Sequence, residues 1–251
     1  MNKVFSYLRR GTTVAMGIAV AGVLLTSCFK NKDLGAGSNP DIASSGLMSF
    51  NLAPDQQSVA LTISGNYLTA SPLAFTNFSG GYREIYSGSR TVQGFDYPNT
   101  APLASSNYDF KPDTYYSVYF VGNAGKYRNI VSEDKFDSLP VAANTAFIRY
   151  INAIADTAIN PAVTITAPGG SVANETTTFG VVTEFKPVSA GEVNVAVKSG
   201  ANVDANRSIS VEANKVYTVL LVGVPGETGD DKKVQIRFIT NGTASSKTSN
   251  N

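Results

Sequence analysis

The sequence contains no histidine, no tryptophan and only one cysteine among its 251 residues. The absence of histidine excludes serine–histidine triads, histidine-ligated zinc and imidazole general bases. A single cysteine cannot form an intrachain disulfide or a thiolate metal cluster. Charged residues are scarce, at 16%, and 20 Lys and Arg balance 19 Asp and Glu, so nucleic acid would meet no basic field. We therefore expect no metal, no cofactor and no nucleic-acid partner.

The chain is instead rich in residues typical of strands and turns, with 22 Gly, 11 Pro, 12 Tyr and 13 Phe. Val193, Val195 and Val197 alternate with polar residues, which is the period of a half-buried strand. The segments 116–121 and 217–222 have almost no polar face, so we place them at the centre of a sheet. About seven short strands per 100 residues, separated by Gly and Pro turns, predict an all-β fold of immunoglobulin-like β-sandwiches.

An internal repeat with a constant offset of 101 residues divides the chain. It aligns identical residues at strand-like positions: Asn51 with Asn152, Phe78 with Phe179, Val92 with Val193, Tyr116 with Tyr217, Val118 with Val219, and Gly122 with Gly223. A period this long indicates two tandem domains, because the units of solenoids are only about 20 to 50 residues long.

Tyr116 and Tyr217 each stand just inside a strand that follows a polar turn. Immunoglobulin-like sandwiches have a tyrosine corner at this place, in which the hydroxyl bonds back to the preceding loop. We therefore expect a structural role for both tyrosines.

The N-terminal segment resembles the signal peptide of a bacterial lipoprotein. Basic residues precede an uncharged apolar run at positions 14–25, which is shorter than the roughly 20 residues that span a bilayer. Leu25, Thr26 and Ser27 then match the lipobox pattern ahead of Cys28. The resemblance implies that Cys28 carries diacylglycerol and becomes the new N-terminus. The alternative is a secreted protein whose cysteine happens to lie near the cleavage site.

The residues after Cys28 bear on where such a lipoprotein would reside. Phe29 stands where an aspartate would favour the inner membrane, so lipoprotein sorting rules favour the outer membrane. Positions 31–45 are mostly Gly, Ser, Asn, Asp and Pro, which is typical of a flexible tether. The sequence leaves open whether the protein faces the cell surface or the periplasm.

Four segments, 146–156, 161–165, 190–195 and 215–223, resemble the DUF4397 domain. The resemblance covers residues 146–239 well and residues 47–131 less well. It implies a strand-rich domain of uncharacterised function, found in tandem in Bacteroidetes lipoproteins, with no catalytic motif. The predicted division is a signal peptide at 1–27, a lipidated tether at 28–45, a first sandwich at 46–140, a second sandwich at 141–240 and a disordered tail at 241–251.

Tyrosines are more numerous in the first repeat than one small core needs: Tyr82, Tyr86, Tyr97, Tyr108, Tyr115, Tyr119 and Tyr127. One hypothesis is a ligand face formed by Tyr82 and Tyr86 on one strand and by Tyr115 and Tyr119 on another. The alternative is that these tyrosines pack against the second domain or fill strand surface.

Acidic residues and short motifs between the repeats provide further candidate sites. Glu133, Asp134 and Asp137 lack the spacing of a calcium loop, which favours a solvated linker. Hydrolysis by a pair of carboxylates is the one enzyme class that survives the lack of histidine, yet no pair stands out. Ser138 and Thr157 stand in triplets that resemble O-glycosylation acceptors of exported Bacteroidetes proteins; accidental occurrence is the alternative.

The leading hypothesis is therefore a non-catalytic structural or binding module, lipid-anchored at the outer membrane through Cys28. Its partner would be the membrane together with a glycan or another envelope protein. The alternative is a glycan-binding accessory lipoprotein of a polysaccharide-uptake system. A carboxylate-dependent hydrolase is a third possibility.

Overall fold

The computed structural model describes residues 43–99 and 101–244. Cys28, the lipobox residues Leu25, Thr26 and Ser27, and all but the end of the predicted tether lie outside the described residues. No helix in the described part of the chain is long and apolar enough to cross a membrane.

The described chain consists of two successive sets of eight strands, here called repeat 1 and repeat 2. Repeat 1 comprises β1 (Ser44–Asn51), β2 (Val59–Ile63), β3 (Asn66–Tyr67), β4 (Arg83–Tyr86), β5 (Gly88–Asp96), β6 (Pro102–Phe110), β7 (Tyr115–Asn123) and β8 (Lys126–Glu133). A 3₁₀ turn at Phe136–Ser138 leads to repeat 2. Repeat 2 comprises β9 (Thr145–Ile154), β10 (Ala162–Ala167), β11 (Gly170–Thr176), β12 (Lys186–Ser189), β13 (Gly191–Ser199), β14 (Val203–Val211), β15 (Lys215–Gly223) and β16 (Gln235–Thr243).

Each repeat is a β-sandwich of two four-stranded sheets, and the strand order is the same in both. The inner sheets have the order β4-β1-β7-β8 in repeat 1 and β12-β9-β15-β16 in repeat 2. The outer sheets have the order β3-β2-β5-β6 and β11-β10-β13-β14. The central pairs β1–β7 and β9–β15 are parallel, with Leu47 opposite Tyr116 and Ile148 opposite Tyr217. The prediction of two tandem all-β sandwich domains is confirmed.

The strand count and order differ in detail from the expectation. Each repeat has eight strands rather than about seven. In repeat 1, β3 and β4 contain only two and four residues and show too little alternation to be read from sequence. In constant-type immunoglobulin domains the first two strands share a sheet, whereas here β1 and β2 lie in different sheets. The repeats therefore share the sandwich architecture but have their own strand order.

The two sandwiches pack against each other through their inner sheets. Each sandwich has a hydrophobic core between its two sheets. A further cluster, the interdomain core, takes residues from both repeats: Met48, Phe50, Leu52, Phe75, Tyr119, Val121, Ile151, Ala153, Leu220, Val222 and Ile239. Along β7, Val118 and Phe120 face the core of repeat 1, while Tyr119 and Val121 face repeat 2. Segments 116–121 and 217–222 lack a polar face because both of their faces are buried.

The ends of the folded part differ slightly from the predicted boundaries. β1 begins at Ser44, and β16 continues to Thr243, so residues 241–243 belong to a strand rather than to a disordered tail. Asn241 is buried and accepts a hydrogen bond from Thr218 Oγ1 at 2.6 Å. A polar composition suggested disorder, but in this strand the polar groups bond to the neighbouring strand.

Tyr116 and Tyr217 hold the loops that precede their strands. The hydroxyl of Tyr116 accepts a hydrogen bond from the backbone N–H of Lys111, and that of Tyr217 accepts one from Glu212, each at 3.0 Å. Both side chains are buried, at 0% and 4% exposure. In each repeat the donor stands five residues before the tyrosine, as expected for two copies of one fold.

Replacing either tyrosine with phenylalanine should lower the free energy of unfolding by about 1 kcal/mol, because one hydrogen bond to a buried hydroxyl is lost. Urea denaturation followed by circular dichroism measures the change. Tyr86→Phe is the matched control, since that ring is 61% exposed. An unchanged midpoint for both corner variants would show that the two hydroxyls do not hold their loops.

Candidate functional site

The four tyrosines of the predicted ligand face do not form one surface. Tyr119 is fully buried, and its ring stacks on Phe50 with centroids 4.7 Å apart. Tyr82 and Tyr115 pack edge to face, with centroids 4.9 Å apart. Tyr86 alone among the four is largely exposed. β7 is a central strand of the inner sheet, so Tyr119, which points away from the core of repeat 1, packs against repeat 2 instead of facing solvent.

A buried polar network lies beside these aromatic rings, and we call it the interdomain polar cluster. Its members are Tyr82, Ser117, Tyr119, Asp134, Arg149, Thr218 and Asn241. Arg149 of β9 pairs with Asp134, which follows β8, with Nη1 and Oδ1 2.6 Å apart. Both side chains are at most 1% exposed. An ion pair between the two repeats is thus fully withdrawn from solvent.

Hydrogen bonds close this cluster into a ring. Asp134 Oδ2 accepts from Tyr82 Oη at 2.5 Å and from Ser117 Oγ at 2.7 Å. On the other side, Arg149 Nε donates to Thr218 Oγ1 at 3.1 Å. Thr218 donates to Asn241, whose Nδ2 donates back to Tyr82 Oη at 3.3 Å. Each side chain of the ring therefore contacts two others, as expected for polar groups buried away from water.

The guanidinium of Arg149 has further partners. Nη2 donates to Ser117 Oγ at 3.1 Å and to Tyr119 Oη at 2.9 Å. The ring of Phe185 lies 4.2 Å from the guanidinium carbon. The guanidinium thus donates several hydrogen bonds in its plane and stacks on an aromatic ring. Lysine cannot make both kinds of contact, so this buried site favours arginine.

The surroundings of Arg149, Tyr82 and Tyr119 shift the pKa of each of these three side chains upward. Burial opposes the charge of Arg149, but Asp134 and then the hydroxyls of Tyr119 and Tyr82 raise the pKa of this guanidinium above its usual value. Burial, followed by the charge of Asp134, raises the pKa of Tyr82 well above its usual value. Burial likewise raises the pKa of Tyr119. Arg149 therefore stays charged, and both tyrosine hydroxyls stay protonated.

The linker prediction is wrong for Asp134, because this carboxylate is needed to neutralise Arg149 inside the protein. Glu133 instead pairs with Lys111 on the surface at 2.9 Å, and Asp137 is exposed. Arg149 itself interrupts the apolar run of β9 between Ile148 and Tyr150. A lone charge in such a run was the available signal, since an arginine at a buried position requires a counter-charge.

The hydrogen bonds and the ion pair of the cluster connect the two repeats. Its only carboxylate already accepts two hydrogen bonds and faces the guanidinium. Within residues 43–99 and 101–244, no group of three or more Cys, Asp or Glu could hold a metal ion. We assign the interdomain polar cluster a structural role.

The repeated asparagines Asn51 and Asn152 also support the fold. Asn51 Nδ2 donates to the carbonyls of Gln56 and Leu73, at 2.7 and 2.9 Å. Its Oδ1 accepts from the N–H of Ala53, and Asn152 repeats that contact with Ile154. Each side chain therefore fixes the loop at the end of the first strand of its repeat.

Ser138 and Thr157 are both exposed in the structure. Ser138 lies in the 3₁₀ turn, and its Oγ donates to the carbonyl of Lys135 at 2.9 Å. Their modification stays a prediction, and an intact mass above that of the lipidated chain would reveal an attached sugar.

Comparisons with known proteins identify the family. The model of DUF4397, a domain of unknown function, matches residues 45–159 and 146–251. The chain therefore belongs to the DUF4397 family and contains two tandem copies of the domain, as predicted. No curated protein matches it.

Several solved structures resemble the chain weakly. A streptococcal virulence factor described as binding alpha-glucan is 10% identical, covering 78% of this chain and 97% of its own, with a TM-score of 0.24. A family 26 carbohydrate-binding module from Eubacterium rectale, solved with maltoheptaose, is 11% identical, covering 76% and 100%, with a TM-score of 0.22. A candidate cell adhesion protein from Bacteroides eggerthii is 10% identical, covering 82% and 98%, with a TM-score of 0.24. At these scores the likeness does not extend to function.

Proposed function

We propose that the protein is a non-catalytic structural or binding module of the cell envelope, anchored in the outer membrane through lipid on Cys28. The lipobox residues, the tether and the tandem DUF4397 domains support the proposal. Several acyl chains would hold the protein firmly, because each buried methylene contributes about 0.8 kcal/mol.

The observation that carries the proposal is the shared interior of the two sandwiches. The interdomain core and the Asp134–Arg149 pair join both inner sheets. Two sandwiches joined in this way present their outer sheets at a fixed mutual orientation. Such a body suits a spacer or a binding platform, which needs a rigid surface more than a reactive group.

Replacing Cys28 with serine should release the protein from the membrane, because the acceptor of the lipid is lost. In the native producer, the unaltered protein should sediment with the outer membrane after a high-salt wash and enter the detergent phase on Triton X-114 partition. The Cys28→Ser variant should remain in the aqueous phase. Phe29→Ala is the control, since it leaves the lipidated residue in place. If the serine variant stays in washed membranes, lipid on Cys28 is not the anchor.

Protease treatment of intact cells then determines which face of the membrane the protein occupies. Loss of the unaltered protein from whole cells would place both sandwiches outside. Digestion only after lysis would place them in the periplasm.

The exposed tyrosines favour glycan binding as a second candidate function. Tyr67 and Tyr97 are 66% and 49% exposed, and both belong to repeat 1. Exposed rings that contribute little to the core are available for stacking on a ligand.

A further inference from the structure

We propose that the outer face of the sheet β3-β2-β5-β6 binds an extended, uncharged glycan chain, through Tyr67, Gln93 and Tyr97. This inference rests on the proposed function of a binding module and names its ligand class. This surface differs from the ligand face predicted from sequence, whose four tyrosines do not form one surface in the structure.

The strand register places one row of side chains across this face. Thr62 of β2 lies between Leu61 and Ile63, which both enter the core of repeat 1, so Thr62 points outward. Thr62 is paired with Tyr67 on one side and with Gln93 on the other, and Gln93 is paired with Ser105. Directly opposite residues share a face, and the row is therefore Tyr67, Thr62, Gln93 and Ser105.

The hairpin before β3 explains why Tyr67 is exposed. Ser64 and Gly65 both have positive φ, at 47° and 85°, and connect β2 to β3 as a two-residue turn. β3 is an edge strand of only two residues. Tyr67 therefore stands at the margin of the sheet, with 66% of its surface in solvent.

A second aromatic residue, Tyr97, directly follows β5. Val59 is in the core and pairs with Asp96, so the flanking Phe95 and Tyr97 point outward. The N–H of Tyr97 donates to the carbonyl of Ser58 at 2.8 Å, which ties this residue to the chain just before β2. With strands about 4.8 Å apart and residues about 3.4 Å apart, Tyr67 and Tyr97 are separated by roughly 17 Å.

The side chains beside Tyr67 on this face fit a neutral polyhydroxylated chain. Gln93, Ser105 and the hydrogen-bonded pair Thr91–Asn107 offer neutral donors and acceptors. Thr62, in the middle of the row, is 3% exposed, so its larger neighbours in the row and not Thr62 would contact a ligand. The apolar face of a sugar ring can stack on each tyrosine, while its hydroxyls meet amides and hydroxyls. The row positions carry no ionised residue, and Asp109 on the same face is acidic, so an acidic ligand would gain no counter-charge.

Repeat 2 has the same sheet without the two tyrosines, which shows that the fold itself does not require them. From the register, Ser171 is equivalent to Tyr67, Asn194 to Gln93 and Lys198 to Tyr97. Lys198 lies 3.6 Å from Asp204, so charge replaces the aromatic ring on that face. The glycan site is accordingly expected in repeat 1 alone.

Affinity electrophoresis of the full chain, purified in detergent, tests the proposal. The gels contain amylopectin, glycogen, laminarin, barley β-glucan or galactomannan. We expect at least one of these neutral polysaccharides to retard the unaltered protein, and Tyr67→Ala and Tyr97→Ala each to weaken retardation roughly tenfold. Tyr86→Ala is the matched control, because this ring is equally exposed but lies on β4 of the inner sheet. Ser171→Ala is the control in repeat 2.

The variants remove mostly exposed side chains, so circular dichroism and melting temperature should stay unchanged. Absence of retardation in every gel would overturn the inference, and so would an equal loss in Tyr86→Ala. Either result leaves membrane fractionation of the Cys28 variant unaffected, so failure of the glycan site is distinguishable from failure of the proposed anchor.

Discussion

Replacing Asp134 with alanine should lower the free energy of unfolding by about 3–5 kcal/mol, because the change leaves the guanidinium of Arg149 buried without a counter-charge. Arg149 is 1% exposed at its side chain and lies between two packed sheets, so it cannot reach solvent while the repeats stay together. The hydroxyls of Tyr82 and Ser117 lose their acceptor in the same step. Urea denaturation followed by circular dichroism measures the loss.

Two comparison variants isolate the cause of this loss. Glu133→Ala removes the neighbouring carboxylate, whose pair with Lys111 is on the surface, and should leave the midpoint nearly unchanged. The double variant Asp134→Leu with Arg149→Met removes both charges and should recover much of the stability. If Asp134→Ala costs less than about 1 kcal/mol, the pair does not carry a buried charge between the repeats.

Replacing Phe50 with alanine should cost about 3–5 kcal/mol and should loosen both repeats. Phe50 is fully buried in the interdomain core, and its ring stacks on Tyr119 and on Phe78. The residue belongs to repeat 1, yet the cavity would open against repeat 2. Hydrogen exchange read by mass spectrometry should therefore show lost protection in β9 and β15 as well as in β1 and β7.

The reciprocal variant tests the same coupling from the other side. Val163 is fully buried in the core of repeat 2, on β10 of the outer sheet, away from the interface. Val163→Ala should also lower protection in β1 and β7 if the repeats unfold together. Losses confined to the mutated repeat in both variants would show two independent domains.

The architecture was predictable from local patterns. Alternation along β13 and the offset of 101 residues predict tandem sandwiches, because a strand with one wet face leaves a period of two. Tyr116 and Tyr217 could be located as tyrosine corners since each follows a polar turn at the start of a strand. The alternation and the tyrosine corners depend on neighbours in sequence, and the repeat needs only a comparison of the chain with itself.

The interface between the repeats could not be predicted in the same way. An apolar run such as 116–121 is equally expected for the centre of a single sandwich and for a strand buried on both faces. The burial of Tyr119 and Asp134 depends on residues of repeat 2, distant in sequence, so the tyrosines of β7 suggested a ligand face. Tyr67 escaped attention because a two-residue strand has no period to read. The charge of Arg149 within the apolar run of β9 was the one local indication of a buried counter-charge.

Differential scanning calorimetry tests most directly the central claim that the two sandwiches form one unit with a shared interior. The account predicts a single transition in which the calorimetric and van't Hoff enthalpies agree. Two separate transitions, or a van't Hoff enthalpy near half of the calorimetric value, would contradict it, because each sandwich would then unfold on its own.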